Sequence, residues 1–334
     1  MCNRPYPTTL KPYGKALVEL ARTRKEILCL TGDLTRQCEI DLFQEEFPER
    51  FIHAGMAEAN MVCMAGALAR RGFIPFTHTF GVFATRRPLD QIVNAVAYPN
   101  LPVRIVGFMP GVSSPGGPSH QAIEDIALMR AIPNMTVVDV ADAVEITQAL
   151  PAIVDVLGPV YLRLKRGEIP VIFDENHAFS MSKAQLLVDG DDVALIASGM
   201  MLSAVLAAAE TLREAGVQSK VVNVPVIKPI DSATLLQALR GVRAIVTAEN
   251  HSIIGGLGSA VAEVLAEAGL GRKLRRIGLR DTFAEGARVA PPLFQKYGLS
   301  TQDIVDAAWS ALGKKEEAPR SITVETAPGE YAPV

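Results

Sequence analysis

The feature that most constrains the fold is a regular alternation of short apolar runs with longer segments of helical periodicity. In the first half, the apolar runs predict strands over residues 27–30, 73–77, 103–108, 136–140 and 160–164. Helical segments lie before and between them, at residues 15–24, 57–70, 87–97, 123–130 and 143–156. Such alternation is typical of α/β proteins, in which a parallel sheet carries helices on both faces.

The alternation is interrupted once and then resumes. Residues 170–190 break the pattern and predict a connection, after which strands and helices alternate again from 193 to 277. A last amphipathic segment covers residues 301–312. A chain of 334 residues has room for roughly two domains of about 150 residues. We therefore predict two doubly wound α/β domains, residues 1–185 and 190–312, followed by a flexible tail at 313–334.

Composition and charge exclude several classes of protein. Hydrophobic residues make up 49% and charged residues 21%, which excludes a disordered chain. The net charge of −3 argues against nucleic-acid binding. The uncharged stretch Val193–Ala209 approaches membrane-spanning length, but Ser198-Gly199 divides it into a predicted strand, turn and helix. We therefore expect a chain that does not cross a membrane.

The cysteines and the amino terminus indicate a cytoplasmic protein. The four cysteines have no C-x-x-C spacing, and a core of this size does not need disulfides. The first residues contain three prolines and no apolar segment of a secretory signal.

Motifs that would identify a self-sufficient enzyme are missing from the sequence. Gly255-Gly256-Leu257-Gly258 lacks the G-x-G-x-x-G spacing of a dinucleotide site, so tight packing of a strand against a helix explains it better. The five histidines have no metal-ligand spacing. Ser198 is not in a G-x-S-x-G turn.

Three features in the first half remain as candidates for chemistry. Glu58 begins an apolar helix, where a carboxylate also simply complements the helix dipole. Phe80 and Phe83 are three residues apart and would share one helix face, a spacing that more often indicates core. His120 ends a loop rich in Gly, Pro and Ser that follows a strand, which is where α/β folds bind ligands.

Taken together, these features resemble the transketolase family of thiamine diphosphate enzymes, over about residues 10–312. The matching first-half segments are Thr31-Gly-Asp-Leu, Gly55-Met-Ala-Glu58-Ala-Asn, Thr77-His-Thr-Phe80-Gly-Val-Phe83, Gly117-Pro-Ser-His120-Gln and Arg163-Leu-Lys-Arg166-Gly. Those of the second half are Ile227-Lys-Pro-Ile-Asp231, Glu249-Asn-His251 and Gly255-Gly-Leu-Gly-Ser. The resemblance implies a pyrimidine-binding thiamine diphosphate domain with a parallel sheet, followed by a transketolase C-terminal-like α/β domain.

The resemblance also implies a partner subunit. Transketolases hold Mg²⁺ and the diphosphate on an N-terminal domain with a Gly-Asp-Gly motif, and this sequence contains no such motif. The chain therefore resembles the β subunit of a split transketolase. Its Mg²⁺ and diphosphate ligands would belong to an N-terminal (α) subunit, and an α2β2 heterotetramer is expected.

Roles for individual residues follow from the resemblance. Glu58 would hydrogen-bond N1′ of the cofactor pyrimidine, which requires a carboxyl group that can hold a proton in an apolar pocket. Phe80 and Phe83 would stack on the pyrimidine ring. His120 would bond oxygens of the sugar substrate and shuttle protons.

Cationic residues would bind the phosphate of a sugar phosphate substrate. We expect Arg166 to do so, ahead of Arg163, because Gly167 indicates that the strand ends there. His78 is a further candidate for substrate binding. Other members have cationic ligands that this sequence lacks, and four nearby residues could replace them: Lys15, Arg36, Arg86 and Arg87. Such departures favour a branched, modified or sulfonated sugar as an alternative to the usual donor.

Two other functions remain open at this point. A β subunit of a 2-oxo-acid dehydrogenase would share the fold and the glutamate, but His120-Gln and the Phe80/Phe83 pair favour transketolase. A non-catalytic paralogue that assembles with a partner is the other alternative, and retention of Glu58 and His120 argues against it.

Overall fold

The computed structural model of the protein describes residues 6–321. The strands are β1 (Thr8–Leu10), β2 (Ile27–Thr31), β3 (Phe51–His53), β4 (Ile74–Phe80), β5 (Arg104–Phe108), β6 (Thr136–Asp139), β7 (Val160–Leu164), β8 (Glu168–Pro170), β9 (Gln185–Val188), β10 (Val193–Ala197), β11 (Ser219–Asn223), β12 (Val226–Lys228), β13 (Ala244–Ser252) and β14 (Lys273–Leu279). The helices are α1 (Pro12–Thr23), α2 (Asp41–Glu46), α3 (Glu58–Ala69), α4 (Gly81–Thr85), α5 (Leu89–Gln91), α6 (Asp125–Ala131), α7 (Ala143–Val154), α8 (Leu202–Glu214), α9 (Ser232–Ala238), α10 (Leu257–Glu267), α11 (Pro291–Lys296) and α12 (Thr301–Ala311).

The first half forms a seven-stranded sheet with the order β12-β6-β7-β5-β4-β2-β3. All neighbouring strands from β6 to β3 are parallel. Every residue of β2, β5, β6 and β7 is buried, as expected for strands covered by helices on both faces. This arrangement confirms the predicted α/β fold and brings the carboxyl ends of the parallel strands to one edge.

The second half forms a five-stranded sheet with the order β14-β13-β10-β11-β9. Its strands are parallel except β9, which pairs antiparallel with β11 at the edge. The uncharged stretch of residues 193–209 is divided as predicted: it comprises β10, a 3₁₀ turn at Gly199–Met201 and the first part of α8. No helix within residues 6–321 is both long and apolar enough to cross a membrane.

One strand connects the two sheets. β12 follows β11 of the second sheet in the chain, yet it pairs antiparallel with β6 and forms the edge of the first sheet, with Val226 opposite Val138. Lys228 strengthens this connection because its Nζ donates to the carbonyl oxygen of Arg130 at 2.9 Å. The first sheet is therefore completed by residues from the second half of the chain.

Some elements differ from the sequence predictions. The short strands β1, β3, β8, β9 and β12 were not predicted, nor were α2 and α11. Residues 87–97 were predicted as one helix, but they form α5 followed by a π-helix at Ile92–Ala97.

The start of the predicted tail is packed against the second domain. The indole Nε1 of Trp309 donates to the carbonyl oxygen of Glu316 at 2.9 Å, and Gln302 bonds the backbone of Pro319 and Ser321. Residues 322–334 of the predicted tail lie outside the described residues.

The glycine-rich segment of the second half serves close packing, as the sequence indicated. A Cβ atom on Gly256 would lie 1.9 Å from Oε2 of Glu249, and one on Gly258 would lie 2.7 Å from Oγ1 of Thr247. The Glu249 carboxylate accepts the N–H groups of Leu257 and Gly258 at 2.6 and 2.9 Å. A buried side chain of the protein thus fills the helix terminus that a phosphate takes in nucleotide-binding folds.

Candidate active site

The candidate site begins where the carboxyl ends of β2 and β4 meet the first turn of α3. The N–H of Gly32, just past β2, donates to the carbonyl oxygen of His78 in β4 at 3.0 Å. A Cβ atom on Gly32 would lie 3.5 Å from Oγ1 of Thr79 and 3.7 Å from Cγ of Glu58. These groups therefore border one small space that a side chain at Gly32 would enter.

Glu58 is a buried acid with a cationic partner. It is the first residue of α3 and only 3% exposed. Nη1 of Arg87 donates to its Oε1 at 2.6 Å. The positive end of the helix dipole also favours a carboxylate here. The pair satisfies the rule that a buried charge needs a partner.

A pair of aromatic rings connects this acid to the predicted catalytic histidine. The rings of Phe80 and Phe83 have centroids 6.1 Å apart and an interplanar angle of 21°. Cζ of Arg87 lies 4.0 Å from the centroid of Phe83. His120 meets Phe83 edge to face, with ring centroids 5.3 Å apart. The structure thus brings Glu58, Phe80, Phe83 and His120 together.

Arg86 holds the loop that carries His120. It follows α4 and donates to the carbonyl oxygens of Pro118 at 3.0 Å and Gln121 at 3.1 Å. It also forms an ion pair with Glu124, in which Nη2 donates to Oε2 at 2.8 Å. The loop is therefore attached on both sides of the histidine, and Arg86 is occupied by protein groups rather than open to a phosphate.

Asn250 of the second domain hydrogen-bonds the other end of the same loop. Oδ1 of Asn250 accepts the N–H of Val112, and its Nδ2 donates to the carbonyl oxygen of Pro110, both at 2.9 Å. Gly111 has a φ of 54° and approaches so closely that a Cβ would lie 2.1 Å from Oδ1 of Asn250. A glycine is required there because both the backbone conformation and the contact exclude a side chain.

Arg163 lies inside the protein, between the two domains. It is 1% exposed and donates to both oxygens of Asp125, at 2.8 and 3.2 Å, and to the carbonyl oxygen of Asn250 at 2.8 Å. Asp139 lies 3.5 Å away and accepts from Ser198 of the second domain at 2.7 Å. Arg163 is therefore not accessible to a substrate phosphate. Its burial and its contacts with protein groups contradict the predicted role in substrate binding.

The electrostatics of this buried cluster depend on Arg163. Burial alone would raise the pKa of Asp125, but Arg163, with help from His251 and Tyr161, holds that pKa below its ordinary value. For Asp139, burial dominates and raises the pKa despite Arg163. One guanidinium thus offsets much of the cost of burying two carboxylates.

His78 points away from the candidate site. Successive residues of a strand face opposite sides, and Thr79 is the one that faces Gly32 beside Glu58. His78 is fully buried, with Nε2 2.6 Å from the Tyr13 hydroxyl and Nδ1 3.0 Å from the carbonyl oxygen of Leu30. Burial lowers its pKa to about 4, so the ring is neutral. These contacts do not support the predicted contact with substrate.

Arg166, unlike Arg163, is partly exposed and can be reached by a ligand. It lies two residues beyond the end of β7, before Gly167 with its φ of 88°, and it is only partly buried. Within residues 6–321 its guanidinium forms no ion pair. A cation at the carboxyl edge of a sheet that forms no ion pair with the protein is suited to bind an anionic ligand.

The site fits the pyrimidine part of thiamine diphosphate. A buried carboxyl group lies near two stacked aromatic rings, and the small space at Gly32 is bordered by Thr79 and Glu58. Oγ1 of Thr79 borders that space and is buried without a hydrogen-bond partner in the described structure, so a polar ring atom would satisfy it. By contrast, residues 6–321 contain no group of three or more His, Cys, Asp or Glu side chains that could hold Mg²⁺.

The sequence did not reveal the roles of three residues at this site. Thr79 carries the unpaired hydroxyl, Arg87 pairs with Glu58, and Asn250 braces the loop from the second domain. The tandem Arg86-Arg87, three residues after Phe83, is the one signal in the sequence that points to part of this arrangement, although it suggests a site for an anionic ligand.

Two family models match the chain. The transketolase pyrimidine-binding domain matches residues 6–171, and the transketolase C-terminal domain matches residues 182–304. A solved structure described as a split-gene transketolase, an inactive β4 tetramer, is similar with a TM-score of 0.84 and 41% identity. The match covers 92% of this chain and 98% of that one.

Curated relatives include both split and full-length proteins. A 6-deoxy-6-sulfo-D-fructose transketolase subunit from Clostridium sp. (strain MSTE9) is 41% identical, over 94% of this chain and 99% of its own length. A 1-deoxy-D-xylulose-5-phosphate synthase from Geobacter sulfurreducens is 36% identical over 91% of this chain, which spans 48% of that enzyme.

Proposed function

The chain belongs to the transketolase family, and we propose that it is the β subunit of a split transketolase. In this proposal, the assembled enzyme transfers a two-carbon ketol unit from a ketose phosphate, or a sulfonated ketose, to an aldose. The observation that supports it most is the buried Glu58 at the head of α3, beside the small space that Gly32 and Thr79 border and near the stacked Phe80 and Phe83.

Each proposed role follows from the surroundings of a residue. Thiamine diphosphate, when bound, supplies a nucleophilic thiazolium carbon. Glu58, which is almost fully buried, would hydrogen-bond N1′ of the pyrimidine. The unpaired hydroxyl of Thr79 would hydrogen-bond the same ring, and Phe80 and Phe83 would line its pocket.

The substrate side is formed by His120 and Arg166. His120 is only partly buried, and its loop is fixed by Arg86, so its ring can hydrogen-bond sugar oxygens from a constant position. Arg166 binds the terminal anion, for which phosphate and sulfonate offer the same oxygen acceptors. We expect His120→Ala to lower kcat, because proton transfer stabilises the transition state more than the bound substrate.

We propose that an N-terminal (α) subunit with a Gly-Asp-Gly motif supplies the Mg²⁺ and diphosphate ligands, in an α2β2 heterotetramer. The solved relative that consists of β chains alone is described as inactive, which agrees with this proposal. The isolated chain should then bind thiamine diphosphate weakly, because phosphate contacts supply much of the affinity. Tight, Mg²⁺-dependent binding to the chain alone in calorimetry would contradict it.

The proposal is tested by mixing the purified chain with the α subunit, thiamine diphosphate and Mg²⁺. Donors would include fructose 6-phosphate, 6-deoxy-6-sulfofructose and pyruvate, with glyceraldehyde 3-phosphate as acceptor. We expect ketol transfer from a ketose donor in the mixture and none from either subunit alone. Release of CO₂ from pyruvate without transfer from any ketose would instead favour the decarboxylating chemistry of a 2-oxo-acid dehydrogenase.

A further inference from the structure

Arg87 contacts the proposed acid of the cofactor site and is not yet assigned a role. Its Nη1 donates to Oε1 of Glu58 at 2.6 Å, and the Glu58 side chain is 3% exposed while that of Arg87 is 49% exposed. Within the described chain, Oε2 of Glu58 has no hydrogen-bond partner. One carboxylate oxygen is therefore held by the protein, and the other remains for a ligand.

The guanidinium of Arg87 is fixed in a second direction. Its Cζ lies 4.0 Å from the centroid of Phe83, the ring that also contacts Phe80 and His120. A planar guanidinium that stacks on an aromatic face and donates in its own plane has little freedom to rotate. The contact with Glu58 therefore has a defined geometry, unlike that of a surface ion pair.

A carboxylate that is held at one oxygen by a fixed donor presents its other oxygen in a defined direction. We propose, on the basis of the proposed function, that Arg87 is a positioning residue that holds Oε1 of Glu58 and so aims Oε2 at N1′ of the cofactor pyrimidine. Arg86 and Arg87 then have separate tasks, one on the His120 loop and one on Glu58.

The proposal is tested in the assembled complex with Arg87→Met, which keeps an apolar chain over Phe83 but removes the charge. We expect hydrogen–deuterium exchange at cofactor C2, with cofactor saturating, to slow by about 10- to 100-fold, the range of a charge-assisted hydrogen bond. The cofactor Kd should change less than about threefold. Arg87→Lys should recover part of the rate, and Arg272→Met, an exposed arginine before β14, should match the wild type.

An unchanged exchange rate in Arg87→Met, or a loss confined to the cofactor Kd, would overturn the proposal. A second measurement does not depend on activity. Thermal unfolding of the chain alone is compared for Arg87→Met, Glu58→Gln and the double variant. We expect Arg87→Met to lower the unfolding temperature because it leaves a buried carboxylate unpaired, and this loss should at least halve in the Glu58→Gln background. Additive losses would show that the two side chains are not coupled.

The two tests separate this inference from the proposed function. If the assembled wild-type complex transfers no ketol unit, the proposed function fails, whereas the unfolding comparison still measures the Arg87–Glu58 pair. If the complex is active and Arg87→Met behaves as the wild type, only the role of Arg87 is refuted.

Discussion

Replacing Arg163 by Met should destabilise the fold strongly without acting on the substrate. The variant keeps most of the side-chain volume but removes the guanidinium donors to Asp125 and to the carbonyl oxygen of Asn250, leaving Asp125 only the Tyr161 hydroxyl as a side-chain donor. Asp125 is 0% and Asp139 3% exposed, so both carboxylates lose their buried cation. Breaking a buried pair by removing one partner costs about 3–5 kcal/mol. We expect a loss of that size at neutral pH.

The loss should depend on pH in a defined direction. Arg163 holds the folded-state pKa of Asp125 low, so this carboxylate adds stability above its unfolded pKa and loses it as pH falls through the folded pKa. Without Arg163, burial raises the pKa of both Asp125 and Asp139, and the folded variant takes up protons at a higher pH. The difference between variant and wild type should therefore be largest near pH 7–8 and shrink towards about pH 5.

Urea unfolding followed by circular dichroism at both pH values measures this difference. Arg104→Met is a matched control, since Arg104 is equally buried but donates to the carbonyl oxygens of Gly158 and Val154, at 2.6 and 3.0 Å. Its loss of stability should vary little between those pH values, because backbone carbonyls do not titrate. The reasoning is refuted if Arg163→Met stays within about 1 kcal/mol of the wild type, or if both variants show the same pH dependence.

Three further predictions address the acid, the anion site and the second domain. Glu58→Gln should assemble normally but slow hydrogen–deuterium exchange at cofactor C2 by roughly 10²–10⁴-fold, and an unchanged rate would remove Glu58 from its role. Arg166→Ala should raise KM for phosphorylated donors by roughly 10- to 150-fold and do much less to hydroxypyruvate; equal effects on both would exclude a phosphate contact. Gly256→Ala should lower the unfolding free energy by about 1–3 kcal/mol, because its Cβ would lie 1.9 Å from Oε2 of Glu249. Gly271→Ala, which meets nothing within 4 Å, should be near neutral, and equal losses from the two alanines would contradict the contact.

The main elements of the fold were predictable because buried parallel strands are apolar on both faces. β7 and β10 have the predicted limits, 160–164 and 193–197. The short strands β1 and β8 pair only with each other, at positions far apart in the sequence, and three residues carry too little periodicity to reveal a strand. The π-helix after α5 was also not predictable, because its apolar residues fit an ordinary helix equally well.

For the candidate site, the sequence revealed which residues lie near one another but not their partners. The order of motifs placed Glu58, Phe83 and His120 in one region. Arg163 and Arg166 are chemically identical in the sequence, and only the tertiary contacts show that the first is neutralised by Asp125 while the second has no anionic partner in the described structure. Because side chains alternate along β4, only one of His78 and Thr79 can border the site. The structure shows that it is Thr79, whereas the sequence alone does not reveal which face of β4 points towards the site.

The pairing of β12 with β6 matters for how the gene can be divided. The C-terminal-domain model begins at residue 182, yet residues 226–228 complete the first sheet by antiparallel pairing. A recombinant fragment that ends near that boundary would leave β6 with unpaired backbone groups, and an open edge of this kind recruits strands from other molecules. Expression of the pyrimidine-binding half alone should therefore yield aggregates, whereas a fragment redesigned to carry its own edge strand should remain dispersed.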